Sequence, residues 1–295
     1  AMNLRDLDPA ALGYLAGWKL VRHLPDQLAE PLFNLGADYA SGHGRGMEML
    51  RRNLTRVVGA ENVTAELVRD SVRSYARYWR EAFRLPAIKD DPDLDARLTR
   101  GFVGLEHLDA SHSSGRGVVL TLPHSGNWDM AGMFVVRRYG AITTVAERLK
   151  PEVLYDAFVD YRESLGFEVL AHAGGTPPYP RLREVLQEGG IVALLGERDL
   201  RRRGVEVDFF GERTTMPAGA ARLALDTGAA RHVAHCWFTG DGWGMSVSEE
   251  IEVDTPENSV QRVADRFAAN IAEHPADWHM LQPLWPADAK KRGGV

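Results

Sequence analysis

A histidine and two acidic residues stand where a proton-transfer site can form. His124 and Asp129 lie five residues apart in one short segment, and Glu197 follows a separate apolar run. A neutral imidazole removes the proton of an alcohol efficiently when a carboxylate fixes its tautomer and stabilises the imidazolium that forms. The chemistry that these residue types favour is therefore general-base catalysis of attack by a hydroxyl group.

The spacing of His124 and Asp129 is weak evidence by itself. With 10 histidines and 41 acidic residues among 295 positions, one or two such pairs are expected by chance, and the sequence has two, the other being His43 and Glu48. Only His124 lies between an apolar run and a predicted helix start. A regular helix turns by about 140° over five residues, so Asp129 can reach His124 only if the histidine lies in the preceding loop. Whether Asp129 or Glu197 contacts the imidazole stays open.

Short apolar runs alternate with helical patterns after residue 117. Such alternation requires crossover connections, so we predict an α/β fold with a mostly parallel central sheet flanked by helices on both faces. The predicted strands are Gly117–Leu122, Ile142–Ala146, Phe167–Ala171, Ile191–Leu195, Val205–Phe209, His232–Phe238 and Met245–Val253. The predicted helices among them are Asn127–Tyr139, Pro151–Leu165, Tyr179–Gln187, Pro217–Asp226 and Val260–Glu273.

The first 85 residues have helical periodicity and no strand-like run. We therefore predict a helical N-terminal subdomain over residues 1–85, facing a membrane, and an α/β core over residues 86–295. Leu12, Leu15 and Trp18 share one face of the first predicted helix, with Lys19 and Arg22 at its end. This pattern suits a helix lying on a membrane surface, and it suits equally a helix packed on the sheet domain.

The carboxyl ends of parallel strands meet at one edge of a sheet, where ligands bind. Three predicted strands are followed at that edge by His124, Glu147 and Glu197, which is the main indication of a site. Backbone N–H groups at the helix start near residues 125–128 can stabilise an oxyanion or a phosphate. The structural alternative is that Asn127 caps the helix and Asp129 complements its dipole.

The composition restricts the class of protein. Hydrophobic residues make up 44% and charged residues 26%, which is ordinary for a globular protein, and the net charge of −6 disfavours a nucleic-acid partner. No apolar run approaches the roughly 18 residues that span a bilayer. The single cysteine, Cys236, cannot form an internal disulfide, which favours a reducing compartment. We expect no metal site, and the absence of a Gly-x-Ser-x-Gly motif weakens a serine hydrolase.

Several longer segments carry a more specific signal than the histidine pair. They are Ser74–Glu81, Leu122–Asp129, Val145–Lys150, Tyr161–Phe167, Glu197–Leu200, Asp208–Gly211, Thr215–Gly219 and Asp277–Pro283. Through these segments the sequence resembles the HX4D acyltransferases of membrane lipids. Within that group it is similar to the actinobacterial phosphatidylinositol mannoside acyltransferases, which are related to the lipid A acyltransferases. The resemblance covers nearly the whole chain.

The resemblance implies transfer of a long-chain, palmitoyl-like acyl group from acyl-CoA to a mannose hydroxyl of phosphatidyl-myo-inositol mannosides. It implies acyl-CoA as co-substrate, no cofactor, and an anionic mannosylated phosphoinositide as acceptor. The protein is expected to be peripheral, on the inner-membrane surface at the cytoplasmic face of the plasma membrane. The HX4D pair falls on His124 and Asp129, and the acidic block of the mannoside subgroup falls on Glu197.

Further candidates surround this predicted centre. Glu147 and Arg162 can bind sugar hydroxyls or orient a carboxylate, and an ion pair between them is the structural alternative. Thr215 and Pro217 are expected beside the acceptor and acyl groove, and also at the start of a helix with Thr215 as its cap. The predicted substrate-binding residues are Ser125, Gly126, Asn127, Glu147, Arg162, Arg198, Thr215 and Pro217.

The densest basic cluster of the chain follows Glu197 closely and comprises Arg198 and residues 201–203. Guanidinium groups bind phosphates in a fork geometry, and both acyl-CoA and a phosphoinositide carry phosphates. We therefore predict Arg201 and Arg202 as phosphate or CoA ligands. The alternative is a solvated turn in which these arginines alternate with acidic residues.

The predicted mechanism is direct transfer in a ternary complex. His124 deprotonates the mannose hydroxyl, Glu197 and Asp129 orient and stabilise the charged imidazole, and the alkoxide attacks the thioester carbonyl. Three alternatives stay open: an acyltransferase for another lipid acceptor, an acyl-CoA thioesterase, and a lipid-binding module without catalysis. They differ in whether acyl-CoA is turned over and in whether turnover depends on the mannolipid.

Overall fold

The computed structural model describes residues 9–147, 152–172 and 176–289, and the structural statements below concern these residues. The N-terminal helices are α1 (Pro9–His23), α2 (Asp26–Ala40), α3 (Glu48–Val58) and α4 (Ala65–Ile88). The later helices are α5 (Leu94–Arg100), α6 (Leu105–Ser113), α7 (Trp128–Tyr139), α8 (Glu152–Glu163), α9 (Tyr179–Gln187), α10 (Gly219–Thr227) and α11 (Pro256–Glu273). The strands are β1 (Phe102–Val103), β2 (Val118–Leu122), β3 (Ile142–Ala146), β4 (Phe167–Ala171), β5 (Ile191–Leu195), β6 (Val205–Phe209), β7 (Glu212–Met216), β8 (Ala230–Thr239) and β9 (Gly242–Val247).

Seven strands form one sheet in the order β1-β9-β8-β2-β5-β3-β4, and β6 and β7 form a separate antiparallel pair. Within the sheet every neighbouring pair is parallel except β8 and β9. A mostly parallel sheet needs crossover connections, and the helices that form these connections cover its faces. The prediction of an α/β fold with such a sheet is confirmed.

Strand β2 shows how both faces of the sheet are covered. Val118 and Leu120 belong to a buried cluster that includes residues of α7, such as Met130. Val119, between them, belongs instead to a cluster with residues of α9 and α10, such as Leu182. Successive residues of a strand point to opposite faces, so a continuous apolar run is what a doubly covered central strand requires.

Strand β7 contains Thr215, which was predicted to cap a helix. Thr215 lies in β7, which pairs with β6, and α10 begins at Gly219 with no side-chain cap. The predicted helix cap at Thr215 is therefore wrong. Phe210 and Gly211, between the two strands, both have positive φ, at 52° and 76°. A two-residue turn with positive φ at both positions matches the twist of a hairpin, so the chain pairs here rather than entering a helix.

The N-terminal helices pack on the core through α4 and through Trp18 of α1. The Trp18 ring lies among Phe83, Phe158 and Tyr161, with ring centroids 5.1, 5.2 and 5.5 Å away. Trp18 is half-buried and packs against the core, which is the alternative to membrane contact that the sequence left open. The side chains of Leu12 and Leu15 lie outside the described residues. The division into residues 1–85 and 86–295 stays a prediction, and α4 crosses that position without interruption.

Candidate active site

The register of strands β2 and β5 brings His124 and Glu197 together. The two strands are adjacent and parallel, with Leu122 opposite Leu195, and each site residue stands two positions beyond its strand. Oε1 of Glu197 lies 2.8 Å from Nδ1 of His124 and accepts a second hydrogen bond, of 2.7 Å, from the backbone N–H of the same histidine. The predicted meeting of these two residues at the edge of the sheet is confirmed.

The environment of Glu197 favours its ionised form. The side chain is fully buried, and burial alone would raise its pKa, but the charge of His124 and the two hydrogen bonds from that residue outweigh burial and hold the pKa of Glu197 below its ordinary value. A carboxylate at Nδ1 keeps the proton of a neutral imidazole on that nitrogen. Nε2 of His124 has no hydrogen-bond partner among the described residues, and the His124 side chain is 25% exposed. The arrangement therefore leaves Nε2 as a proton acceptor.

Asp129 is buried and is bonded elsewhere. Its Oδ1 accepts a 2.8 Å hydrogen bond from Nε of Arg162, and its Oδ2 accepts one of 2.8 Å from the hydroxyl of Tyr78. No hydrogen bond joins Asp129 to His124, so Glu197 is the partner of the imidazole. The reason is that Asp129, in the first turn of α7, turns towards α4 and α8, which carry Tyr78 and Arg162.

Arg162 and Glu147 do not form the ion pair with each other that the sequence offered as a structural alternative. Arg162 pairs with Asp129 and not with Glu147. Burial lowers the pKa of Arg162, but the negative charge of Asp129 outweighs burial and raises it above the ordinary value for arginine. Glu147 is exposed and lies 3.9 Å from a guanidinium nitrogen of Arg198. Arg148, beside it in the sequence, lies outside the described residues.

We expect Arg162→Met to destabilise the protein by about 3–5 kcal/mol, because it leaves the buried carboxylate of Asp129 without its cation. The double variant with Asp129→Asn removes the stranded charge as well and is expected to recover part of this loss. Urea unfolding of the two variants and of the wild-type protein measures both effects. A double variant less stable than Arg162→Met alone would show that the buried charge is not the cause.

A segment near the C-terminus holds the loop that carries His124. The backbone N–H of His279 donates to the carbonyl of His124 at 2.7 Å, and the carbonyl of Asp277 accepts from Gly126 N at 3.0 Å and from Ser125 Oγ at 2.9 Å. The N–H of Ser125 donates to the carbonyl of Pro123. The backbone N–H groups of this segment were predicted to stabilise an oxyanion, but those of Ser125 and Gly126 are used in hydrogen bonds within the protein.

Gly126 occurs where no other residue fits. Its φ is +58°, and a Cβ atom there would lie 2.5 Å from the carbonyl carbon of Cys236 in β8. Asn127 is buried, its Oδ1 accepts from the backbone N–H of Met130 at 2.9 Å, and so it caps α7. A helix cap at Asn127 is the structural role that the sequence offered as an alternative to substrate binding. The two residues therefore shape the loop through contacts within the protein.

A groove of about 580 Å³ lies beside His124, within the size range of ligand-binding sites. One wall is apolar and is formed by side chains from β3, β5, α9 and α10, including Val145, Leu182, Leu194 and Leu223. The arginines that line this groove are Arg198, Arg201, Arg203 and Arg222. Within the described part of the chain, no group of three side chains is placed to hold a metal ion.

Six of the ten predicted binding residues lie in two neighbouring cavities, and Ser125, Gly126, Asn127 and Arg162 line neither of them. Glu147, Arg198, Arg201 and Pro217 line the large groove together with His124. Arg202 and Thr215 line a second cavity, of about 220 Å³, which shares Arg198 with the first. The predicted basic cluster therefore surrounds both cavities.

Sequence reasoning missed several residues that hold the site. Arg222 lies on α10 in no recognisable motif. Tyr78, Glu81 and Asp277 lie in segments that carry the resemblance, but their contacts with the site join positions 46 to 152 residues apart. Of these residues, Glu81 gave a signal in the sequence, since it is an acidic residue on the face of the amphipathic helix α4 that is otherwise expected to be buried.

The chain is similar in sequence to known acyltransferases over most of its length. The family described as bacterial lipid A biosynthesis acyltransferase matches the chain over residues 9–287. A phosphatidylinositol mannoside acyltransferase of Mycolicibacterium smegmatis is 57% identical over 282 residues, which cover 94% of this chain and 91% of that protein. One of Mycobacterium tuberculosis is 55% identical over 280 residues, covering 93% and 88%. The chain therefore belongs to the bacterial lipid A biosynthesis acyltransferase family, as the resemblance of its motifs predicted.

Proposed function

We propose that this protein transfers a long-chain, palmitoyl-like acyl group from acyl-CoA to a mannose hydroxyl of phosphatidyl-myo-inositol mannosides. Membership of the family supports acyl transfer, and the names of relatives 55–57% identical to it support the acceptor. The observation that carries the proposal is the contact between His124 and the buried carboxylate of Glu197 at the edge of a groove. This pair is suited to activating a hydroxyl group.

In the proposed reaction, Nε2 of His124 takes the proton of the mannose hydroxyl. The oxygen attacks the thioester carbonyl carbon, and the ionised Glu197 stabilises the imidazolium. Collapse of the tetrahedral intermediate breaks the carbon–sulfur bond and releases CoA thiolate, which takes the proton from the imidazolium. The products are the acylated mannoside and free CoA, and no covalent enzyme intermediate is required.

The lining of the groove supports acyl-CoA as the donor. An apolar wall suits an acyl chain, and the arginines that surround the groove and the adjoining cavity suit the phosphates of CoA. We assign this phosphate-binding role to Arg201 and Arg202, as the sequence predicted, and add Arg203 and Arg222. Glu147 and Arg198 both line the groove with their charged groups 3.9 Å apart, and we assign to them the binding of the acceptor sugar or its phosphate.

A hydrophobic stripe on α2 supports the proposed position at a membrane. Leu28, Leu32, Leu35 and Tyr39 follow one another at helical spacing and are 57–86% exposed. The opposite side of α2 faces α4 through an ion pair of Asp26 with Arg84. Exposed apolar side chains on one face of a helix suit the interface of a bilayer, here the cytoplasmic face of the plasma membrane. None of the helices in the described ranges has the length and apolarity needed to cross a bilayer.

Radiolabelled palmitoyl-CoA and purified phosphatidylinositol mannosides in vesicles, incubated with the purified protein, test the proposal. We expect labelled acyl-mannoside and free CoA in equal amounts, and little release of CoA when the mannoside is omitted. Equal release of free fatty acid with and without the mannoside would instead indicate a thioesterase. Transfer to a glycerolipid acceptor alone would indicate another substrate, and binding to vesicles without turnover would indicate a lipid-binding module.

A further inference from the structure

One face of helix α4 makes hydrogen bonds to three points around the segment that carries His124. Ser74, Tyr78 and Glu81 are spaced four and three residues apart, so their side chains share that face. Ser74 donates to the carboxylate of Asp277 at 2.6 Å, and Tyr78 donates to Asp129. Glu81 accepts from the side chain of Asn127. A long helix of the N-terminal region therefore supports the loop from behind.

Glu81 is the most constrained of the three residues. Its carboxylate is buried, and one oxygen, Oε2, accepts hydrogen bonds of 2.9 Å from both Asn127 Nδ2 and Trp243 Nε1. The other oxygen accepts a 2.8 Å hydrogen bond from Arg77, whose guanidinium is itself fixed by the carbonyl groups of Gly240 and Gly242. Arg77 therefore fixes the carboxylate of Glu81 through Oε1, independently of the hydrogen bond from Trp243.

The contact with Asn127 transmits this position to α7. An asparagine amide has a donor end and an acceptor end, and Asn127 uses both, the donor to Glu81 and the acceptor to the N–H of Met130. An ionised carboxylate only accepts hydrogen bonds, so Glu81 determines which way the amide of Asn127 faces. The cap of α7 lies three residues after His124, so its position constrains that of the histidine.

We propose that Glu81 is a positioning residue for acyl transfer, which acts through Asn127 on the segment carrying His124 and does not contact substrate. The inference rests on the proposed role of His124 as the base. A displacement of about 1 Å at a reacting group can cost on the order of a hundredfold in rate. Loss of the Glu81–Asn127 contact should therefore lower kcat while leaving the KM for acyl-CoA nearly unchanged.

Three variants test this contact. Glu81→Gln is expected to lower kcat by about 10- to 100-fold, since its amide cannot satisfy all three donors. Asn127→Asp places two carboxylates together and should cost more. In the double variant, the amide of the new glutamine can donate to the new aspartate, which still caps α7. The double variant should therefore be more active than Asn127→Asp, and a loss equal to the product of the two single losses would overturn the proposal.

Trp243→Phe provides the matched control. Trp243 donates to the same oxygen of Glu81 at the same distance as Asn127, but it is not bonded to the loop. We expect this variant to lower thermal stability and to keep kcat within about twofold of the wild type. If Trp243→Phe and Glu81→Gln lose the same thermal stability and the same kcat, the loss of kcat follows from destabilisation alone and the proposal is wrong.

A readout that needs no turnover separates this inference from the proposed function. The ring nitrogen signals of His124, assigned by their loss in His124→Ala, should shift in Glu81→Gln and stay unchanged in Trp243→Phe. Unchanged His124 signals in Glu81→Gln would overturn the positioning role. Shifted signals in a protein that transfers no acyl group would support it and would refute the proposed function alone.

Discussion

His124→Ala is expected to lower kcat for acyl transfer by about 10²- to 10⁴-fold, the range that a positioned general base contributes. The imidazole is the group that Glu197 orients, and its Nε2 has no hydrogen-bond partner among the described residues. In the proposed reaction without the imidazole, the mannose hydroxyl would have to lose its proton to water. Initial rates with labelled palmitoyl-CoA and phosphatidylinositol mannosides measure the loss.

The chain offers a matched control for this variant. His43 also stands five residues before an acidic residue, Glu48, but in a loop that precedes α3. Its φ is +54°, a conformation that asparagine adopts more readily than alanine, so His43→Asn is the suitable change. We expect it to leave kcat unchanged. Wild-type activity in His124→Ala, or an equal loss in His43→Asn, would contradict the assignment of the base.

The central strands could be predicted from the sequence because burial on both faces imposes continuous apolar runs. In the middle of the sheet, β5 has the bounds that its apolar run indicated, and β2 begins one residue later than predicted, at Val118. Strand β7 has the sequence Glu212-Arg213-Thr214-Thr215-Met216, in which the burial alternates and only the last residue is apolar. Its pairing depends on the turn at Phe210 and Gly211, so local hydrophobicity does not reveal it.

The meeting of His124 and Glu197 could also be predicted, because it follows from which strands end at one edge of the sheet. The hydrogen-bond partners of Asp129 could not be predicted in this way. That carboxylate is close to His124 in sequence, but Arg162 and Tyr78 reach it from helices that are distant along the chain. Glu81 was missed for the same reason, since its role depends on how α4 packs against α7.

Glu197→Gln is expected to lower kcat by about a hundredfold or more, because it removes the charge that stabilises the imidazolium in the proposed reaction. The amide oxygen of glutamine can still accept both hydrogen bonds from His124, so the variant changes charge more than geometry. Glu197→Asp is the complementary change, which keeps the charge and withdraws it by one methylene group. Rates for both variants, compared with their thermal stabilities, separate the contribution of the charge from that of its position. Wild-type kcat in Glu197→Gln would show that the carboxylate has no catalytic role.

The same substitution has a pH signature in stability. The pKa of Glu197 lies below the ordinary value of 4.5 in the folded protein, so the folded state binds its proton less readily than the unfolded state. The carboxylate therefore contributes stability that is fully present above 4.5 and is lost as the pH falls through the lowered value. Glutamine cannot titrate, so the stability advantage of the wild type over Glu197→Gln should shrink as the pH falls below 4.5. Thermal unfolding of both proteins over this range measures the difference, and an advantage that grew in acid would mean that burial, and not the charge of His124, dominates the pKa of Glu197.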